Sequence, residues 1–187
     1  MSKIALIVPC FNEAKRLKPD KFHSFLAKNP GVDICFVNDG SEDDTSAVIE
    51  KAAADRPEQI SILHLEQNLG KAEAVRRGIL KMSSAGEYDW LGFWDADLAA
   101  PLSEINNLLS YETDAVKLLM CSRVVRLGAN VNRHPIRHVL SRIMAVLVSH
   151  VLKMPVYDAQ CGAKLIRAGE IETVFSEKFL AKWLFDV

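Results

Sequence analysis

The sequence lacks closely spaced cysteines and an excess of basic charge. Its four cysteines, Cys10, Cys35, Cys121 and Cys161, lie far apart, and no two of them form a C-x-x-C pair. They therefore suggest neither a zinc knuckle nor a redox motif, and they fit a reducing, cytoplasmic-side environment. Lys and Arg together number 23 against 24 Asp and Glu, which gives a net charge of -1. Because proteins bind a duplex phosphate backbone through a basic surplus, nucleic acid is not expected as the main partner.

No targeting signal or membrane span is predicted either. The amino-terminal run MSKIALIVPCFNE has too short an apolar core for a signal peptide, and we interpret it as a first strand. The longest apolar stretch, residues 139–156, is interrupted by Arg142, His150 and Lys153, whereas a spanning helix needs about 18 uncharged residues. The final run FLAKWLFDV has no stop signal, so we expect the chain to be truncated within an element at its carboxyl end.

Two common nucleotide-binding motifs are also absent. A phosphate loop needs an earlier glycine and a Ser or Thr after its lysine, but Leu65 and Ala72 occupy these positions around Lys71. The fingerprint G-x-G-x-x-G of dinucleotide enzymes does not occur, which argues against a nicotinamide dehydrogenase. Lys71 nevertheless begins a predicted helix, where its ammonium and the positive end of the helix dipole could both face a phosphate.

Apolar runs that alternate with helical patterns indicate the fold class. At 187 residues the chain has the length of one domain. Strands are predicted at 4–8, 34–37, 60–65, 88–94 and 116–121, and helices after Pro19, at 46–54, after Gly70 and at 101–109. Such βαβ units predict an α/β fold with a mostly parallel sheet and helices on both faces.

Polar residues follow these predicted strands and form the candidate site. Ligands of parallel sheets bind outside the carboxyl ends of the strands, so the residues are expected to share one mouth. They are Asn12, Glu13, Asp39, Asn68, Lys71, Asp95, Asp97, Ser122 and Arg123.

Asp95-Ala96-Asp97 is the most informative motif. Two carboxylates one residue apart at a strand end can hold a hard divalent cation, Mg²⁺ or Mn²⁺, against a substrate diphosphate. The alternative is an ordinary solvated turn, since Asp is common where strands end. Asp39, in VNDGS, could accept hydrogen bonds from a ring N–H or a sugar hydroxyl, although turn chemistry explains Asn-Asp-Gly equally well.

A basic amphipathic segment follows the predicted strands. Arg133, Arg137 and Arg142 precede or overlap apolar residues that share one helical face, including Leu140 and Leu147. Such a helix could lie on an anionic membrane surface. It could equally dock on the sheet with its basic end in water.

Six motifs in order resemble glycosyltransferase family 2, most closely its dolichyl- or polyprenyl-phosphate branch. They are PCFNE, VNDGSEDDT, NLGKAEAVRRG, DADL, SR and DAQCGAK, and DAQCGAK with KWLFDV is most similar to dolichyl-phosphate glucosyltransferases. The resemblance implies that residues 1–187 form a single GT-A catalytic domain with a Rossmann-like sheet. It also implies a metal-dependent, inverting sugar transfer from a nucleotide donor, UDP-glucose or a similar one, to a polyprenyl or dolichyl phosphate at the cytoplasmic face of a membrane. That activity would serve cell envelope glycosylation.

The resemblance also implies roles for individual residues. Pro9 and Glu13 would border the nucleoside, Asp39 would bind the base and Lys71 would lie near the nucleotide. Asp95 would face the ribose or the metal, and Asp97 would ligate the metal. On the acceptor side, Arg123 would meet the lipid phosphate together with Arg133 and Arg137, and Asp158 and Gln160 would line the reaction centre.

Two other functions fit parts of the pattern. An aspartyl phosphatase of the haloacid dehalogenase type would use Asp95 as nucleophile and Asp97 as acid, although Leu98 and Ala99 depart from the usual following residues. A non-catalytic nucleotide-sugar-binding protein on the same fold would keep the same binding residues without turnover.

Overall fold

The computed structural model of the chain describes residues 2–122, 153, 161–182 and 185. Its strands are β1 (Ile4–Cys10), β2 (Val32–Asp39), β3 (Ile60–Leu65), β4 (Trp90–Trp94), β5 (Leu118–Met120) and β6 (Ala163–Arg167). The α-helices among these residues are α1 (Pro19–Leu26), α2 (Thr45–Asp55), α3 (Lys71–Ala85), α4 (Glu104–Leu109) and α5 (Ile171–Phe175). None of them combines the length and the apolarity that a bilayer crossing requires.

The strands form one sheet in the order β3-β2-β1-β4-β6-β5. Strands β1 to β4 run parallel to one another, with Ile4 beside both Val32 and Trp90. Strand β6 runs antiparallel to both β4 and β5. The predicted mostly parallel α/β sheet is therefore confirmed.

Strand β1 shows why the sheet must be covered on both faces. Its alternate residues Ile4, Leu6 and Val8 point into one apolar layer, which includes buried residues of α1, α2 and α4. Ala5 and Ile7 point into the other layer, against α3 and α5. When the residues facing both sides of a strand are buried in a continuous aliphatic run, the strand is typically a central one of a parallel sheet. The sequence of β1 therefore predicts its central position in the sheet.

Strand β6 is absent from the strands that the sequence predicts. Its segment AKLIR is short and carries Lys164 and Arg167, so its apolar content alone does not mark it as a strand. Nevertheless Lys164 is buried and β6 lies between β4 and β5. The predicted strand at 116–121 is reduced to Leu118–Met120 at the sheet edge, because β6 takes the place beside β4.

The strand order reverses between β1 and β4. Helices that follow β1 and β2 pack on one face of the sheet, whereas α3, which leads into β4, packs on the other. A crevice at the carboxyl ends of the strands is expected at such a switch point. The residues after β1 and β4, Glu13 and Asp95, therefore border the expected ligand position.

Candidate active site

The described part of the predicted site lies at the carboxyl edge of β1, β2 and β4. Pro9 is a half-buried residue of β1 opposite Val37, and the chain leaves β1 towards Glu13. Asp39 ends β2, and Asp95 and Asp97 follow β4 directly. Lys71 is the first residue of α3 and contacts Asp95. The predicted residues Arg123, Arg133, Arg137, Asp158 and Gln160, with the basic amphipathic segment, lie outside the described residues.

Asp95 and Lys71 form the central ion pair. The Lys71 Nζ atom lies 2.6 Å from Oδ1 of Asp95, and both side chains retain partial exposure. The same ammonium lies 5.4 Å from the ring centroid of Phe93, the residue of β4 that packs against Phe185. Lys71 is thus held between a carboxylate and an aromatic face, where a cation is stabilised from both sides.

The backbone around Asp95 brings the residues after β4 into a tight turn. The Asp95 amide donates to the carbonyl of Gly162, and the Leu98 amide donates back to the Asp95 carbonyl. Leu98 adopts a left-handed conformation with φ of 54°. The exposed Asp97 accepts a hydrogen bond from the Ala99 amide at Oδ1, over 3.0 Å. The hydrogen bond from Ala99 therefore orients the Asp97 side chain. Among the described contacts, only one of the two Asp97 carboxylate oxygens has a partner.

Glu13 adds a third carboxylate to this edge. It pairs with Arg16, while its Oε2 atom is buried without a hydrogen-bond partner among the described residues. Burial raises the pKa of the Glu13 carboxyl above its usual value. The side chain of Arg16 opposes this rise, whereas the negative charges of Asp97 and Asp95 raise the pKa further. The edge therefore holds concentrated negative charge that a bound cation would relieve.

Asp39 is more deeply placed than its predicted contact with a base would suggest. Only 3% of it is exposed, and its two carboxylate oxygens accept the backbone N–H groups of Leu69 and Gly70 at 2.8 and 2.9 Å. The following Gly40 has φ of 65°, and an added Cβ would lie 2.4 Å from the carbonyl carbon of Gln67. Asp39 thus anchors the loop that presents Lys71, and its contact with a base stays a prediction.

One backbone donor at the start of α3 has a partner within the chain. The Ala72 amide donates to the carbonyl of Lys182 over 3.0 Å. The carboxyl-terminal segment that carries Lys182 therefore takes one of the N-terminal donors of the helix. The Lys71 ammonium reaches the acidic edge through its contact with Asp95, and its contact with a phosphate stays a prediction.

Three contributors were missed because they act through tertiary contacts. Gly162 packs against Asp95, and Phe93 lies beneath Lys71. Thr45, the first residue of α2, accepts a hydrogen bond from the amide of Glu13. Phe93 could have been found from the apolar run of β4 directly before Asp95, but no local sequence pattern indicates which atoms contact Gly162 or Thr45.

A divalent cation is compatible with the donor atoms at this edge. Asp95 and Asp97 offer hard carboxylate oxygens, and the Oδ2 atom of each is not used by the contacts described above. No three His, Cys, Asp or Glu side chains among the described residues are grouped so that they could enclose a metal. Mg²⁺ is commonly held by one or two carboxylates together with substrate phosphates, so this partial set fits a cation that binds with a diphosphate.

Comparison with known proteins identifies a matching family. The model of the family described as "Glycosyl transferase family 2" matches residues 5–175. A dolichyl-phosphate beta-glucosyltransferase of Trichomonas vaginalis is 32% identical over 96% of this chain and 56% of its own length. The enzyme of that name from Saccharomyces cerevisiae is 30% identical over 98% of this chain and 60% of its own length. The chain thus spans little more than half of these curated relatives.

Solved structures with the same fold carry nucleotides and metal. A mannosyltransferase from Pyrobaculum calidifontis, solved with GDP-Man and Mn²⁺, matches 95% of this chain and 47% of its own with a TM-score of 0.62 and 17% identity. Glucosyl-3-phosphoglycerate synthase from Mycobacterium tuberculosis, solved with Mn²⁺, UDP and glucosyl-3-phosphoglycerate, matches 90% of this chain and 57% of its own with a TM-score of 0.61 and 19% identity. These matches confirm the expected GT-A fold.

Proposed function

Because the chain belongs to glycosyl transferase family 2, we propose that it transfers a sugar, with inversion, from a nucleotide-sugar donor to a polyprenyl or dolichyl phosphate. The observation that carries the proposal is the edge formed by Lys71, Asp95 and Asp97 after β4. Relatives named as dolichyl-phosphate beta-glucosyltransferases support a glucosyl group as the transferred sugar and dolichyl phosphate as the acceptor. We propose UDP-glucose as the donor.

The charges at this edge suit the departure of a nucleoside diphosphate. A lipid phosphate is already an anion near neutral pH, so it needs little help from a general base. The leaving diphosphate, in contrast, gains negative charge, which preorganised cations stabilise in the transition state. Asp95 and Asp97 would hold a divalent cation, which would supply Lewis-acid neutralisation of part of this charge. Lys71 lies beside Asp95 and would supply a fixed positive charge to the same diphosphate.

The remaining residues are assigned by the same proposal. Asp158 and Gln160 would line the reaction centre, and Arg123, Arg133 and Arg137 would receive the acceptor phosphate. All five lie outside the described residues. A lipid acceptor requires the chain to meet a membrane, which we propose is peripheral contact at the cytoplasmic face.

The function is tested by binding and turnover with defined ligands. UDP-glucose and GDP-mannose are added to the purified chain with Mn²⁺ or with a chelator, and the melting temperature is measured. A donor at a hundred times its Kd adds about 2.7 kcal/mol, which corresponds to roughly 5 to 10 °C for a chain of this size. Product formation with polyprenyl phosphate is then followed by mass spectrometry. Binding without product in the full-length protein would favour the non-catalytic alternative, and no binding of any nucleotide would contradict both.

Replacing Lys71 should affect the metal and the diphosphate in opposite directions. In Lys71→Met the Oδ1 atom of Asp95 loses its ammonium partner, so we expect Mn²⁺ alone to bind a few-fold more tightly. UDP should bind about tenfold more weakly, because the diphosphate loses a charge-assisted contact. Isothermal titration with each ligand measures both effects. Lys117→Met, which removes a lysine paired with Glu170, is the matched control. A variant that loses affinity for both ligands would contradict the assignment of Lys71.

A further inference from the structure

The loop after β1 is attached to the loop after β2 through three consecutive backbone amides. Asn12 donates to Oγ of Ser41 at 3.1 Å, Glu13 to Oγ1 of Thr45 at 2.8 Å and Ala14 to Oδ2 of Asp43 at 3.2 Å. In return, the Asn12 side chain accepts the amide of Glu42 over 3.0 Å. Asn12 has φ of 54°, so the loop holds a left-handed residue at the point where this set of bonds begins.

Thr45 is the buried centre of this arrangement. The residue is 0% exposed, and its hydroxyl accepts from Glu13 while it donates to the Asp43 carboxylate. The Thr45 amide donates to the same Asp43 oxygen over 3.0 Å. The hydrogen bond from the Thr45 hydroxyl is the main reason that the pKa of Asp43 lies below its usual value. Asp43 therefore stays an anionic acceptor that orients the hydroxyl proton away from Glu13, which leaves the hydroxyl oxygen to receive the Glu13 amide.

The position of the Glu13 backbone matters because of its side chain. The Oε2 atom of Glu13 is buried without a hydrogen-bond partner among the described residues, and its carboxyl responds to the charges of Asp95 and Asp97. Only 14% of the Glu13 side chain is exposed, so the position of its carboxyl depends on the backbone that carries it. The amides of residues 12–14, held by the Ser41–Thr45 segment, fix that backbone.

We propose that Thr45 is a positioning residue for the nucleotide, acting through the backbone of Glu13 and together with Asp43. The proposal rests on the proposed function, in which Glu13 borders the nucleoside. Thr45 lies at the start of α2, behind the loop, and acts by setting where Glu13 presents its carboxylate. Its contribution is therefore to donor affinity and not to the bond that breaks.

Thr45→Val and Thr45→Ser separate this role from simple packing. Valine fills the same buried space but leaves the Glu13 amide without an acceptor, whereas serine retains the hydroxyl. We expect Thr45→Val to weaken UDP binding about tenfold in calorimetry, because the loop that carries Glu13 must then be ordered when the nucleotide binds. The KM for the donor should rise by a similar factor with kcat within about threefold, since uniform binding is lost. Thr45→Ser should restore both values to within about twofold of the parent.

A merely structural role predicts a different pattern. Partial unfolding would lower the melting temperature and the active fraction, so kcat would fall while KM stayed constant. Thr173→Val, on the exposed face of α5, is the control for the same chemical change elsewhere. Unchanged UDP affinity in Thr45→Val, or failure of Thr45→Ser to restore it, would overturn the proposal.

Amide hydrogen exchange tests the loop attachment without any nucleotide. The Glu13 and Ala14 amides should exchange at least tenfold faster in Thr45→Val than in the parent or in Thr45→Ser, whereas amides of β3 should not change. If the parent binds no nucleotide, the proposed function fails while this measurement still reports on Thr45. Parental exchange rates at Glu13 in Thr45→Val would overturn the positioning role itself.

Discussion

Asp97→Asn is expected to reduce sugar transfer by about 10²- to 10³-fold, the size of effect seen when one preorganised electrostatic group is removed from an active site. Asparagine keeps the Oδ1 acceptor that receives the Ala99 amide at 3.0 Å, so the turn after β4 should persist. What changes is the charge, because one of the two carboxylates proposed to hold a divalent cation becomes neutral. The part of donor binding that depends on Mn²⁺ should therefore disappear, while metal-independent UDP binding remains.

The experiment compares calorimetric UDP-glucose affinity with and without Mn²⁺ in the parent and the variant. Asp114→Asn removes an exposed carboxylate from a turn remote in sequence, and it controls for the change of net charge. The melting temperature of Asp97→Asn without ligand should match that of the parent, since Asp97 is exposed and carries no core contact. A variant whose affinity still rises with Mn²⁺ as much as that of the parent would show that Asp97 is not a metal ligand.

The positions of Asp95 and Asp97 were predictable because they depend on the sheet core. Buried strands of parallel sheets are continuous apolar runs, and the run that ends at Trp94 delivers both acids to the carboxyl edge. Strand β1 follows the same rule, which brings Glu13 to the same edge of the sheet. Wherever a site residue follows a strand that is buried on both faces, the sequence therefore predicts its position.

Other features depend on contacts between distant segments. Strand β6 carries polar residues and is recognisable only from its pairing with β4 and β5. The Lys71–Asp95 pair joins a helix start to a strand end, and the anchoring of Leu69 by Asp39 joins two loops. From residue types and spacing one can name several possible partners for Lys71 or Asp39, but the tertiary structure determines which of them is in contact.

Gly162→Ala should strongly reduce sugar transfer, by displacing Asp95 from the edge that it forms with Lys71 and Asp97, and should have little effect on folding. Gly162 directly precedes β6, and its carbonyl accepts the amide of Asp95 at 2.9 Å. A Cβ atom at this position would lie 1.8 Å from Oδ2 of Asp95 and 2.2 Å from its Cγ. No Cβ tolerates such contacts, so the Asp95 carboxylate must rotate away, and it then leaves Lys71. A displacement of about 1 Å in a catalytic arrangement can cost about 10²-fold in rate, and we expect a loss of at least that size.

The effect of Gly162→Ala on the site can be distinguished from unfolding, because the atoms that must move belong to the Asp95 side chain. The nearest atoms are the end of one short polar side chain at the edge of the sheet, not the backbone of the core, so the melting temperature should fall by only a few degrees. Affinity for Mn²⁺ should fall because the Asp95 carboxylate is displaced from its present position, and affinity for UDP should fall because Lys71 loses the partner that holds its ammonium at this edge. Gly169→Ala is the matched control, since an added Cβ there meets no heavy atom within 4 Å and should leave binding and turnover unchanged. If Gly162→Ala retained parental Mn²⁺ and UDP affinities, Asp95 would not need its present orientation, and its assignment to the metal would be wrong.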